Sequence, residues 1–518
     1  MNINSVSVKI ENNKMQNPKP QPKFGNGLDA VLRFLDTNKA WGAVAVDLGS
    51  MVIPRTAVDF SRGVDAGLET GCRESSSSLN HASVGLYGAG AGALLATAYN
   101  SKYGVKFNKI FASGKLLDNF GEVWSEKQAL RPFLEQVVDS IEGFNPSAEG
   151  AVDGWVSIPK DTQKIIVDRL EKEVQKSGDF KINKETEKFI HNLITSTTGA
   201  EAEIRLKGIK TNVDGLELKN VLENIYSVSK TFLQEKVIDN PAEFLKSMKK
   251  FNKYRSLAGL GIASAIGMAI QPVNRYLTKR RTGSDDFVGG GKKDDSVRFK
   301  VIKALSAVAF LIGAFATIST KPAEILSKIQ YKGMVPTLDQ FKAVYGLTIF
   351  SRFLSARNGN ELGESARKDT LGFASWLLLG NIVAKWVAKA LDKDLMNYHA
   401  GKGILKANIK TRDEVLLEAL RKHGISVVED GKALKFRELL KKLPEADKLT
   451  RVKLWKLNGA QFAGYLFSGL ILGFGIPKMN KYITNNKEAK KKAALEAQEQ
   501  AAKTVMMNNK AEEVAVAA

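Results

Sequence analysis

Charge-poor runs at residues 81–99, 256–273, 302–320, 370–388 and 457–477 punctuate the chain. Each approaches the ~20 apolar residues that carry a helix across the hydrocarbon core of a bilayer. Residues 41–54 and 341–354 are apolar but shorter. The first is interrupted by Asp47 and the second contains Lys342 and Arg352, so both read as re-entrant, half-spanning or amphipathic segments. The run from Ser256 is the clearest, uncharged as far as Asn274 and then abruptly basic.

Between the runs the pattern changes. Residues 100–255 hold nearly balanced acids and bases, with helical apolar spacing at Ile165, Ile166, Leu170 and Val174. Gly208–Lys219 reads as a hairpin turning on Asp214-Gly215, residue types that tolerate positive φ. In the basic segment 389–456, Thr411-Arg-Asp-Glu414 is a capping box opening a helix that ends at Gly424. A second hairpin around Asp430-Gly431 and a further short helix follow. The pattern predicts a mainly α fold: a polytopic helical membrane protein with an internal duplication and small α+β soluble inserts.

The duplication rests on three matches in one order. Asn274-Arg-Tyr-Leu-Thr278 is echoed by Asn480-Lys-Tyr-Ile-Thr484, each after an apolar run and a proline (Pro272, Pro477). Gly208…Asp214-Gly215…Lys219 has the spacing of Gly424…Asp430-Gly431…Lys435. Acid–arginine segments, Arg62–Glu74 and Ser355–Thr370, precede the runs at 81–99 and 370–388. The expected organisation is an N-terminal disordered arm (1–27), a first half (28–278, insert 100–255) and a glycine-rich charged linker (279–300). A second half (301–486, insert 389–456) and a Lys/Ala-rich tail (487–518) follow.

Composition changes the picture in two places. The net charge of +22 would point a soluble protein towards nucleic acid. Basic loops beside membrane runs fit the positive-inside bias and anionic headgroups instead, so anionic lipids are the expected partners and nucleic acid is not. Residues 1–38 lack the apolar core of a cleavable signal peptide, so a multi-pass membrane location through internal helices is expected.

The chemistry is sparse. Cys72 stands alone, and His81, His191, His399 and His423 are scattered without metal-ligand spacing, so no metal or cofactor is expected. GAGAGA at 88–93 and GGGKK at 289–293 lack the spacing of nucleotide loops, and no nucleophile–base pattern stands out, so the chain is not read as an enzyme. The leading expectation is a structural or interaction scaffold whose soluble inserts meet lipids or protein partners. The alternative is a small-solute or ion transporter or channel built from two repeats. Its candidate polar residues are Asp47, Glu69, Arg73, Glu364 and Arg367, with Glu69 and Arg73 placed to pair at i, i+4. Asn274, Tyr276, Asn480 and Tyr482 are candidate interfacial anchors.

Overall fold

The structure is a computed structural model that describes residues 31, 44–45, 47–124, 129–176, 180–208, 212–234, 237, 239–333, 336–375, 379–399 and 403–517. The arm at 1–27, and most of the stretch up to Asp47, lie outside the described residues. A π-helical turn, Asp47–Val52, leads into α1 (Ile53–Phe60) and α2 (Val64–Tyr103). The first insert contains α3 (Gly114–Val123), α4 (Leu130–Asp139), β1 (Ile141–Phe144), β2 (Trp155–Ser157), α5 (Lys160–Gln175) and α6 (Lys184–Thr198). It closes with β3 (Ile204–Leu206), β4 (Val213–Leu216) and α7 (Leu218–Ser229). Then come α8 (Pro241–Thr282), α9 (Val297–Ala316), α10 (Pro322–Lys328), α11 (Leu338–Ser355), α12 (Gly359–Ala374) and α13 (Gly380–Leu391). The second insert holds β5 (Met396–Asn397), β6 (Asn408–Ile409), α14 (Arg412–Lys422), β7 (Val428–Glu429), β8 (Lys432–Ala433) and α15 (Phe436–Lys442). Finally α16 (Lys448–Gly469) passes through a π-helical turn, Leu470–Gly475, into α17 (Ile476–Ala517).

Two antiparallel helix pairs make the stem. Asn240 caps α8 by accepting from Glu243 N at 3.0 Å, and Pro241 supplies a first-turn residue whose missing N–H costs nothing there. Gly283, at φ +73°, ends the helix. α8 runs back along α2, and the two cross where Gly88 meets Gly259. A Cβ on Gly259 would lie 2.7 Å from Gly88 Cα, so only hydrogen fits. α16 runs back along α13 in the same way, with a Cβ on Gly464 falling 2.8 Å from Gly380 O. α11 packs against α8 and α9, opened by the Thr337–Gln340 capping box, with Phe341, Tyr345, Ile349 and Phe353 buried. The apolar stretch 341–354 is therefore an interior helix.

The inserts fold together into a head at one end of this stem. In the first, an antiparallel sheet of order β2-β1-β3-β4 pairs Glu142 with Ser157, Ile141 with Leu206 and Ile204 with Leu216. Phe133, Ile166, Ile190 and Leu222, all fully buried, fill its core beneath the helices. In the second, Leu416, Leu420, Phe436 and Leu439 form a smaller core. The Thr411–Glu414 capping box forms as expected, and Gly424 takes φ +66° beyond the helix end. Glu414 does more than cap its own helix. One of its oxygens accepts from Thr411 N at 2.7 Å, and the other from Glu201 N at 2.7 Å and Ala202 N at 3.1 Å in the first insert. Asn192 Nδ2 donates to Leu434 O at 3.2 Å, and His399 stacks on Phe144 at 3.8 Å between ring centres.

Among the described residues, three helices are long and apolar enough to cross a membrane: α8, α9 and the continuous α16–α17 rod from Lys448 to Thr504. The run at 81–99 lies in α2, where glycine and alanine leave it less apolar. The run at 370–388 is divided between α12 and α13, with residues 376–378 outside the described set. Small sheets accompany the helices, as expected. One turn differs. Asp430-Gly431 joins β7 to β8 with φ of 49° and 70°, as a two-residue turn requires. Asp214-Gly215 instead lies within β4, whose register against β3 is irregular. Matching dipeptides thus do different work, because pairing partners as well as local preference set a strand's ends.

Candidate functional site

At the end of the stem away from the head, both helix pairs contribute ionisable side chains to one cavity of about 30 Å³. Its lining includes Arg55, Arg62, Glu69, Arg73, Glu364 and Asn480, together with Lys368 and the 287–289 stretch of the linker. The helical period brings Glu69 and Arg73 to the same side of α2, and Glu361, Glu364 and Lys368 to one side of α12. The cavity has room for about one water-sized occupant.

Ion pairs between distant stretches of the chain surround it. Arg62 clasps Glu364 through two bonds of 2.8 and 2.9 Å. Arg357, 1% exposed, holds Glu69 at 2.6 Å and Glu361 at 2.9 Å. Deeper in the stem, Glu74 is shared by Lys368 (3.1 Å), Arg73 (3.2 Å), Arg55 (3.3 Å) and Arg352 (3.6 Å). Arg352 also reaches Asp369 and Ser77 Oγ, both at 2.9 Å. Charges this far from water persist only when paired and hydrogen-bonded, which is what these contacts provide.

Glu69, Arg73 and Glu364, singled out from the sequence, meet at this cavity. Glu69 and Arg73 do not pair with each other. Glu69 turns to Arg357, while Arg73 binds Glu74 at 3.2 Å and Thr70 Oγ1 at 3.2 Å. The local i, i+4 geometry loses to a guanidinium delivered by tertiary packing. Arg367 is one step removed, donating to Asn480 Oδ1 at 2.8 Å. Asp47 lies apart from the cavity lining, 3.2 Å from His81 Nδ1 and buried.

The paired motif ends also meet here. Asn274 Nδ2 donates to Glu69 O at 3.0 Å, and Asn480 Nδ2 donates to Glu364 O at 3.0 Å. Both asparagines are buried and face inward, whereas Tyr276 and Tyr482 face outward, 62% and 69% exposed. Sequence reasoning missed Arg55, Glu74, Arg352, Arg357, Lys368 and Asp369. The FSR tripeptide ending at Arg352 and the charges clustered at 355–370 were the available signals. Chemically, this is a network of buried ion pairs around a small void, linking the two helix pairs. Comparison of the chain with protein families, with curated proteins and with solved structures yields no match.

Proposed function

We propose that the protein is an integral membrane scaffold whose two helix pairs plant one composite soluble head on a single face of a bilayer. The observation carrying this reading is the direction of the pairs. Glu69 and Glu364 begin their pairs at one cavity, Asn274 and Asn480 return to it, and both inserts leave from the opposite end and interlock. The equivalent asparagine contacts support a duplication whose halves run parallel.

The stem surface supports the membrane setting. Only 17% of the most apolar stretch of α9 is buried, and Leu305, Val308 and Ile312 face outward. Leu86 and Leu94 on α2, Phe462 and Leu466 on α16, and Leu470 at the start of the π-helical turn extend this apolar surface. Aromatic side chains mark both rims: Tyr254, Trp386 and Trp455 towards the head, Tyr276 and Tyr482 towards the cavity. Tyr254 and Tyr276 stand about 33 Å apart along α8 at 1.5 Å per residue, close to the ~30 Å hydrocarbon thickness. Lysines beyond Tyr482 on α17, at 487 and 490–492, suit contact with anionic headgroups.

The test is side-specific labelling in a Cys72→Ser background. Asp214→Cys and Asp430→Cys, both exposed positions in the head, are expected to react with an impermeant thiol reagent from one side of the membrane. Ser284→Cys, beyond the cavity end of α8, is expected to react only from the other. Head positions labelling from opposite sides, or full labelling without any membrane fraction, would overturn the reading. The cavity, lined by ionisable groups from both halves, favours transport as a second reading. A solute-dependent flux in proteoliposomes that disappears with Arg73→Ala would install it. On the scaffold reading no such flux is expected.

A further inference from the structure

The head carries a second group of ionisable side chains, at the seam between the inserts and away from the stem cavity. His191 projects from α6, Glu201 from the turn that follows α6, and Asp413 from the first turn of α14 in the other insert. One ligating atom from each falls within 4.8 Å of the others. Glu201 is 6% exposed and Asp413 is 6% exposed, while the imidazole keeps a solvent-facing edge. Neither Glu201 carboxylate oxygen accepts a hydrogen bond of ordinary geometry from the described residues, and Oε2 leans on His191 Nε2 at 2.5 Å.

The neighbouring carboxylate cannot serve the same purpose. Glu414 already accepts three backbone N–H bonds, from Thr411, Glu201 and Ala202. Two carboxylates, those of Glu201 and Asp413, therefore converge on one imidazole in a largely dry seam, and the local field favours a positive charge there.

We infer that His191, Glu201 and Asp413 form a binding site for a first-row divalent cation, which joins the two inserts of the head. One imidazole nitrogen and two carboxylate oxygens make a three-ligand set of the kind that holds zinc with an open fourth position. Zinc bonds of ~2.0–2.1 Å place ligand atoms about 3.3 Å apart. The 4.8 Å limit on the present separations is thus closed by side-chain rotation of Glu201 and Asp413, with Glu201 Oε2 withdrawing from the imidazole. Asp413 approaches from the second insert, so the ion bridges segments more than two hundred residues apart in the chain. The inference concerns the head alone and stands whether or not the stem lies in a bilayer.

The experiment uses the full chain, purified in detergent, stripped with chelator, loaded with zinc and desalted. Metal content and thermal unfolding are then measured. The expected result is one zinc retained per chain and a midpoint raised by several degrees. His191→Ala, Glu201→Gln and Asp413→Asn should each lower retention at least tenfold. His423→Ala, at a surface histidine paired with Asp447 at 3.0 Å, should leave it unchanged. Failure of the wild-type chain to retain zinc overturns the site without reference to any variant. Equal loss on His423→Ala, or retention of magnesium or calcium in preference to zinc, overturns the ligand assignment.

Discussion

Glu74→Ala is expected to lower the stability of the stem by about 3–5 kcal/mol, the cost of removing one partner from a buried ion-pair cluster. Glu74 accepts from Arg73, Arg55 and Lys368 at 3.1–3.3 Å and lies 3.6 Å from Arg352. Without it, Asp369 remains beside Arg352, while Arg55 and Lys368 lose their carboxylate in a region almost closed to water. The asymmetry is physical. A satisfied buried pair contributes little net stability, whereas an orphaned charge bears its whole desolvation cost. Thermal or denaturant unfolding in detergent micelles measures the effect. Glu74→Gln, which keeps acceptor capacity without the charge, should fall between alanine and wild type. An alanine shift no larger than that of Glu445→Ala, at an exposed head position, would remove the cluster from any role in holding the helix pairs.

The second large effect is steric. Gly259→Leu should cost at least about 3 kcal/mol, at the upper end of overpacking, because the new side chain meets backbone. Its Cβ would sit 2.7 Å from Gly88 Cα and 2.9 Å from Gly88 N, and neither atom can turn aside. Gly464→Leu presses on Gly380 O at 2.8 Å and should behave similarly at the other crossing. Gly261→Leu, two residues along the same helix, faces open space and should be close to neutral. Comparing the three by unfolding separates helix crossing from glycine's intrinsic backbone effect, since all lose the same entropy in the unfolded chain. Equal shifts at 259 and 261 would mean that close approach contributes nothing.

Among Gly88, Gly90 and Gly92, the first and third face Tyr331 and Arg255 while Gly90 faces open space. Small residues at this spacing allow a neighbouring helix to approach closely. Which glycines carry that approach depends on how α2 is rotated against its neighbours, and a lone helical period leaves that free.

What the chain determined by itself is local. The helical runs, the Asn240-Pro241 start and the Thr411–Glu414 box follow from residues within a turn or two of one another, where backbone geometry dictates who can meet. The Asp430-Gly431 turn belongs with them. The acid–arginine segments were also visible, as were three of the charged residues lining the cavity, Glu69, Arg73 and Glu364, because unusual charge beside apolar runs is a compositional signal. Only the tertiary structure decided the partners. Glu69 is met by Arg357, 288 residues away, instead of by Arg73 one turn along its own helix. Glu414 caps a turn 213 residues upstream, and Asn274 and Asn480 turn inward to carbonyls on α2 and α12. These choices depend on helix rotation, crossing position and burial, which make one distant charge worth more than a nearby exposed one. The direction of the two helix pairs, and with it the joined head, is settled by packing between segments that no local pattern connects.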